Sequence, residues 1–561
     1  MRNPLPRLCL LSLIGLAVTA TGDENASGEG PEGFFVDTVD VHLINVDVRV
    51  TDKRGRPVAG LTRDDFEVFE DGQPVEISNF YAVAGRKVLS GGVDPVASGE
   101  PGRIASLEPL RVPEDQKLHL VIYVDNVNIH PLNRRKAFAA LRSFVRRRVG
   151  RDDRVMVVSY DRSLNERQAF TTDKERVIAA IDELDEASGH RVQYDRQRND
   201  LLNDIYDADN VLDVSGRTRM YAESVYSDLN YSIDALRRLV DSLAGLPGRK
   251  AVLYLSDGIE MRAGEDLFYA LEDKFEDRLG ILQAQSFDVS RRFQALTREA
   301  STSRVTFYTL DAAGLRTHSN ADADNYQPER GTLVESAHVA NLQAPLHFMA
   351  AETGGQAILN TNNFLPMLER VGDDFGSYYS LGYTIAQSGS GRYRKIEVKL
   401  KGEDRKGLRV RHREGYRDKS IGIRMSEQTL AALNYGYAKN ALGVELEFGR
   451  GTRKGEDAFL VPLVIKIPMG NLAFVPREDL QRASVRLYIT ARNQDGDVSP
   501  VEEVSVPIEI PRSKFDRARG QAYHLQHSLM MAPGGQIVAV GVRDEIGAVT
   551  AVVLGGVRVG A

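Results

Sequence analysis

Four short apolar runs in this chain each end in an aspartate. Residues 118–124 run into Asp125-Asn126-Val127-Asn128, 155–160 into Asp161, 251–255 into Ser256-Asp257-Gly258, and 305–310 into Asp311. If the runs are neighbouring parallel strands, their carboxyl ends bring four carboxylates to one edge of a sheet, where open α/β sheets bind ligands. Crowded carboxylates repel unless something positive neutralises them. A hard divalent cation with oxygen ligands is one candidate. Asp125 and Asp257 are then ligands for Mg2+, or for Mn2+ or Ca2+, with Asn128, Ser256, Asp161 and Asp311 as further oxygen donors. A guanidinium is the other candidate: Arg134 is placed to pair with Asp125 or Asp257, and the site then holds no metal. Asp also caps helices that follow strands, a reading that needs no ligand. Asn126, Asn128, His130 and Arg134 share one loop and are candidate contacts to a binding partner. A metal-dependent hydrolase built on the four aspartates is a further alternative.

The elements between these runs are consistent with that placement. Phe138, Leu141 and Val145 recur at helical spacing within 133–149, opposite an arginine-rich face. Further helices are expected at 173–184, 192–212 (an inserted, polar one), 219–244 and 265–300, with an edge strand near 168–172. Strand–helix alternation with apolar strands argues a doubly wound sheet. Strands at 377–385, 393–401 and 408–413 are expected to close the unit at 117–416. In Tyr378-Tyr379, one ring should face the core and the other not.

Both flanks read as β. Ile44, Val46, Val48 and Val50 alternate with Asn45, Asp47 and Arg49, and Asp71-Gly72 is a hairpin signal. Residues 36–84 are expected to form a small β module, and 421–561 a β-sandwich-like domain. Between them, 85–116 is rich in Gly and Pro and reads as a linker. At the start, Arg2 and Arg7 precede the apolar stretch 8–17 and small residues near Ala20, the pattern of a cleaved signal peptide over 1–20. Residues 21–35 then form a flexible N-terminus. The expected product is secreted or periplasmic, with no transmembrane segment in the mature chain.

Composition narrows the function. The 561 residues are 42% hydrophobic and 27% charged, a globular balance. A net charge of -7 argues against nucleic acid as the partner, and a single Cys excludes a disulfide scaffold or a Cys-rich zinc module. There is no G-x-S-x-G elbow, Walker A loop or H-E-x-x-H pair, so a binding role is favoured over an enzymatic one.

Asp125 closing one strand and Ser256-Asp257-Gly258 closing another resemble a von Willebrand factor A (VWA) domain. That resemblance implies a metal-ion-dependent adhesion site, with Asp125 and Asp257 as its two aspartates and Thr218 as its middle-loop Thr. Val127 and Ile129 stand at the two Ser positions of the motif, so both of those hydroxyl ligands are missing and the site is degenerate. A wider set of motifs is similar to bacterial VWFA-related proteins, found mainly in acidobacteria: Asp65-Phe66-Glu67-Val68 with Glu70-Asp71-Gly72, Leu246-Pro247-Gly248-Arg249-Lys250, Thr353-Gly354-Gly355, Tyr378-Tyr379-Ser380-Leu381-Gly382-Tyr383 and Gly415-Tyr416. This implies a secreted protein with a central VWA-like (Rossmannoid) α/β domain flanked by β-sandwich-like domains. It would recognise a protein or cell-envelope partner, or serve as a metal-free structural or assembly protein of the envelope.

Overall fold

The computed structural model describes residues 41–93, 117–186, 191–276, 278–316, 332–386, 389–402 and 405–560. The expected signal peptide, the flexible N-terminus and most of the expected linker lie outside them. The chain divides into two compact units, one of Val41–Leu243 with Pro247–Asp418, the other containing Lys419–Ala561.

The first unit begins with β1 (Val41–Thr51), β2 (Phe66–Glu70), β3 (Gln73–Val75), β4 (Ile77–Ala84) and β5 (Lys87–Val93). Its α/β part follows as β6 (Leu118–Asp125), α1 (Pro131–Arg148), β7 (Arg154–Tyr160), β8 (Leu164–Thr171), α2 (Lys174–Glu186), α3 (Arg191–Asp207), α4 (Val211–Leu243) and β9 (Arg249–Ser256). Then come α5 (Glu265–Phe275), α6 (Arg278–Ala284), α7 (Ser290–Thr302), β10 (Val305–Asp311), α8 (Thr332–Glu352), β11 (Ala357–Ile358) and α9 (Phe364–Gly376). Strands β12 (Tyr378–Ala386), β13 (Tyr393–Leu400), β14 (Arg409–Arg411) and β15 (Gly415–Arg417) complete the unit.

The central sheet has the order β8-β7-β6-β9-β10-β11, parallel except for the antiparallel edge strand β8. Strands β6 and β9 are buried along their whole length, as continuous apolar runs must be when both faces are covered. Helices α1, α2 and α9 share one core with Leu120, Ile122, Val124, Leu253 and Leu255. Residues of the other parity, such as Val121, Tyr123, Val252 and Tyr254, are equally buried. This is the doubly wound arrangement that the alternation of strands and helices implies. The chain leaves β6 toward β7 on one side and later returns to β9 on the other. The topological switch point therefore falls between Asp125 and Ser256.

The expected N-terminal module and the expected closing strands are one β structure. β1 pairs with β12 and β14, β12 with β4, and β4 with β5. A second sheet runs β15-β13-β2-β3. Ile44, Val46 and Val48 share a core with Phe66, Val68, Tyr379, Leu381, Ile396 and Val398 from both sheets. The expected linker loses its first residues to β5, because backbone pairing with β4 tolerates Gly91-Gly92 where local propensity does not.

In the second unit, residues 421–435 are helical rather than β. α10 (Ile421–Tyr435) is capped by Ser420, whose side chain accepts from the Ile423 N–H, and ends at Gly436 with φ 69°. The strands are β16 (Glu445–Phe448), β17 (Thr452–Arg453), β18 (Phe459–Pro468), β19 (Val475–Arg477), β20 (Leu480–Asn493), β21 (Glu502–Pro511), β22 (Ala522–Met531), β23 (Gly534–Asp544) and β24 (Thr550–Val559). They form two sheets, one around β18 and one around β20 and β23, whose apolar residues share one core. No helix among the described residues is long and apolar enough to cross a membrane.

Candidate functional site

The strand ends do gather the expected residues around the switch point. Asp125 terminates β6 and is 1% exposed. Its Oδ2 accepts from the Tyr254 hydroxyl at 2.5 Å, the Asn128 amide at 2.9 Å and the Ser256 hydroxyl at 3.3 Å. The Asn128 N–H reaches Oδ1 at 3.3 Å. Burial raises the Asp125 carboxyl above the usual range, and these donors pull it back. Tyr254 is positioned by register, since it sits beside Tyr123 on β6 and stacks on it at 5.2 Å.

Asp257 begins the turn after β9. Its Oδ2 accepts the His130 N–H and the Asn133 side-chain amide, both at 2.8 Å, and its own N–H donates to the Asn128 carbonyl at 2.9 Å. The carboxylate thus lies at the N-terminus of α1, where free N–H groups and the helix dipole favour negative charge. Its pKa is raised by burial, against the pull of Asn133, His130 and the nearby Arg191. Oδ1 is buried and has no hydrogen-bond partner. His130, the suspected contact residue, serves as the N-cap of α1: its ring Nδ1 accepts the Leu132 N–H at 3.2 Å.

The other two aspartates are also occupied. Asp161 accepts from Asn126, from Ser159 at 2.8 Å and from Arg167 at 3.1 Å. Burial raises its carboxyl, but these donors outweigh it and the net shift is downward. Asp311 is completely buried and accepts from Arg316 through both oxygens, at 2.9 and 3.1 Å, and from Gln343 at 2.9 Å. Arg316 also donates to the Asp257 carbonyl, so one guanidinium ties the β9 and β10 loops together.

Two expected placements are corrected. Arg134 is 2% exposed and donates to the Leu184 carbonyl and to Asn126, so it cannot face a partner, and the charges of Asp185, Asp161 and Asp257 act on it. The guanidinium that neutralises Asp311 is Arg316, which sequence reasoning passed over because it lies in a loop with no periodic pattern, and Asp161 pairs with Arg167. Thr218 lies inside α4, fully buried, and its hydroxyl donates to the Val214 carbonyl at 3.1 Å. Gly216 does not break this helix, so Thr218 is on no loop at the site.

A small polar cavity of about 40 Å³ adjoins the switch point. Val127, Asn128, Arg191, Arg198, Glu260 and His338 are among its lining residues. Arg198 pairs with Asp266 at 2.6 Å and Glu335 at 3.1 Å. Burial, followed by the charge of Asp266, pushes Glu260 up to about 7.

As arranged, these residues do not fit a bound divalent cation. Val127 and Ile129 supply no oxygen, three side-chain donors converge on Asp125 Oδ2, and Asp311 is held by an arginine. Among the described residues, no group of three or more His, Cys, Asp or Glu side chains is placed to hold a metal. A cation here would have to displace the chain's own donors.

No family model matches the sequence, and no curated protein matches it. Solved structures do match. An aerotolerance-related membrane protein from Bacteroides fragilis aligns at 11% identity and a TM-score of 0.25, over 46% of this chain and 98% of that one. The conserved hypothetical protein BatB from Bacteroides thetaiotaomicron aligns at 9% identity and a TM-score of 0.23, over 46% and 96%. The manganese-loaded TRAP protein of Plasmodium vivax aligns at 9% identity and a TM-score of 0.22, over 54% and 95%. The fold class rests on the strand order above rather than on these overlaps.

Proposed function

We propose that this chain is a non-enzymatic binding protein acting outside the cytoplasm, in the periplasm or beyond it. Its α/β unit engages a protein partner at the strand-end face without a metal. The observation that carries the reading is a pair of exposed leucines on the two segments that bond to Asp257, the first turn of α1 and the loop after β10. Leu132, beside His130, is 80% exposed, and Leu315, beside Arg316, is 58% exposed. Apolar side chains presented on segments held by partly buried hydrogen bonds form a preorganised docking surface. The aspartates then act as internal ties that hold the loops in place. One observation favours a cation-dependent reading instead: Asp257 Oδ1 is buried without a donor.

Two measurements separate these readings. Calorimetric titration of the chelator-treated protein with Mg2+, Mn2+ and Ca2+ is expected to give no saturable heat. Saturable binding that is lost in Asp125→Ala would establish the cation site and end the metal-free reading. In EDTA, envelope proteins retained by the immobilised wild type should be lost with the Leu132→Glu/Leu315→Glu double variant, as quantified by mass spectrometry. Equal retention by both proteins would rule out this face.

A further inference from the structure

The polar face of β1 is half-buried, with Arg49 buried and Asn45 and Asp47 partly exposed. Asn45, Asp47 and Arg49 lie against β10 and the segment after α8, and with Arg304, Thr353 and Arg413 they line a partly open cavity of about 10 Å³. That is room for one water-sized particle. The charge around it is unbalanced. Arg49, Arg304 and Arg413 line the cavity, Arg249 acts on Asp47 from nearby, and Arg411 pairs with Asp374 at 2.8 Å. Among the described residues, Arg49, Arg304, Arg411 and Arg413 thus face two carboxylates, Asp374 and the Asp47 to which Arg304 donates at 3.3 Å.

Helix ends take up part of the excess. Arg413 donates to the Ser301 carbonyl in the last turn of α7 at 2.7 Å, and Arg249 to the Phe375 carbonyl in the last turn of α9 at 2.9 Å. Arg49 and Arg411 reach the Gly354 and Gly355 carbonyls just past α8, at 3.5 and 3.1 Å. Each helix C-terminus carries only about half a negative charge, so a positive excess remains. Burial and the adjacent Arg304 push Arg413 down to about 10. Two donors are also left over: among the described residues, the Nε–H groups of Arg49 and Arg304 are buried and make no hydrogen bond. Arg49 is 5% exposed, and its nearest carboxylate oxygen, on Asp374, is 4.0 Å away. An unpaired buried donor on a cation is costly.

We propose that this cavity binds one small inorganic anion of chloride size, held by the Arg49, Arg304 and Arg413 guanidinium groups, which ties β1 to β10. The test is thermal unfolding of the full chain in sodium chloride against sodium gluconate at equal ionic strength. Chloride should raise Tm saturably, by about 3 °C, and Arg304→Gln should lose the chloride-specific part of the rise. Identical melting in the two salts, or a chloride rise that Arg304→Gln retains in full, overturns the proposal. Should Arg304→Gln fail to fold, crystals of the wild type grown in bromide decide the matter. An anomalous peak between Arg49, Arg304 and Arg413 supports the site, and its absence means the cavity holds water.

Discussion

Glu260 sits three residues past Asp257, buried beside Asp266, and its carboxyl is raised to about 7. Its Oε2 accepts the Gly264 N–H at 2.7 Å, so the side chain is fixed in place whatever its charge. A carboxyl whose folded pKa exceeds its unfolded value binds a proton on folding between the two values. The stability it contributes is full below about 4.5 and is lost as pH rises through about 7. Asp266 works in a different window: burial opposes its ionisation, but Arg198 and His338 hold it below the usual range, so its contribution is lost only on acidification. Between pH 5 and 8 the wild type is therefore expected to lose on the order of 2 kcal/mol relative to Glu260→Gln in urea unfolding. Parallel stability curves for the two proteins would show that Glu260 does not carry this dependence. At this scale the sequence was partly legible. Asp125, Asp161, Asp257 and Asp311 were identifiable because each ends an apolar run. Their partners Tyr254, Asn133 and Arg316 were not, because a hydrogen-bond partner brought by the fold leaves no local pattern.

The turn after β9 shows what an element demands of one residue. Gly258 has φ +103°, and a Cβ there would stand 2.8 Å from the Leu342 Cβ and 2.9 Å from its carbonyl oxygen. That carbonyl also accepts the Ile259 N–H at 3.2 Å. Gly258→Ala should therefore cost about 2 kcal/mol or more through backbone strain and the clash, read as a lower urea midpoint. An unchanged midpoint would mean that the turn and α8 can separate freely. Periodicity located the long elements well: the buried strands β6, β7, β9 and β10 fall where the apolar runs predict them. It failed where context outweighed propensity. β5 forms across Gly91-Gly92 because β4 offers a partner edge, and α4 continues through Gly216. α10 was missed although Ser420 and Gly436 bracket it as caps. Only one of the Tyr378 and Tyr379 rings was expected to face the core, yet both are buried, Tyr378 under the Arg249 guanidinium at 3.7 Å.

Across the whole molecule, the first unit closes only when its two chain ends meet. Val41 pairs with Ala386, and Val48 with Tyr379. β12 is flanked by β1 on one side and β4 on the other. A chain lacking residues 41–93 would leave β12 with two bare edges and would expose Tyr379, Leu381 and Tyr383. Such edges template aggregation, so this truncation should elute as aggregate and bind ANS, whereas the full chain unfolds cooperatively. A monomeric, cooperatively folding truncation would show that the α/β part stands alone. The sequence by itself determined the alternation of strands and helices, the doubly wound sheet and the four aspartates at its strand ends, because these follow from side-chain spacing along one segment. The tertiary structure alone decided that the polar face of β1 packs against arginines. It also decided that Arg316 pairs with Asp311 and Arg167 with Asp161, and that the aspartates bind donors of their own chain. Charge compensation in a low-dielectric interior depends on which distant segments meet there, and local spacing does not encode that.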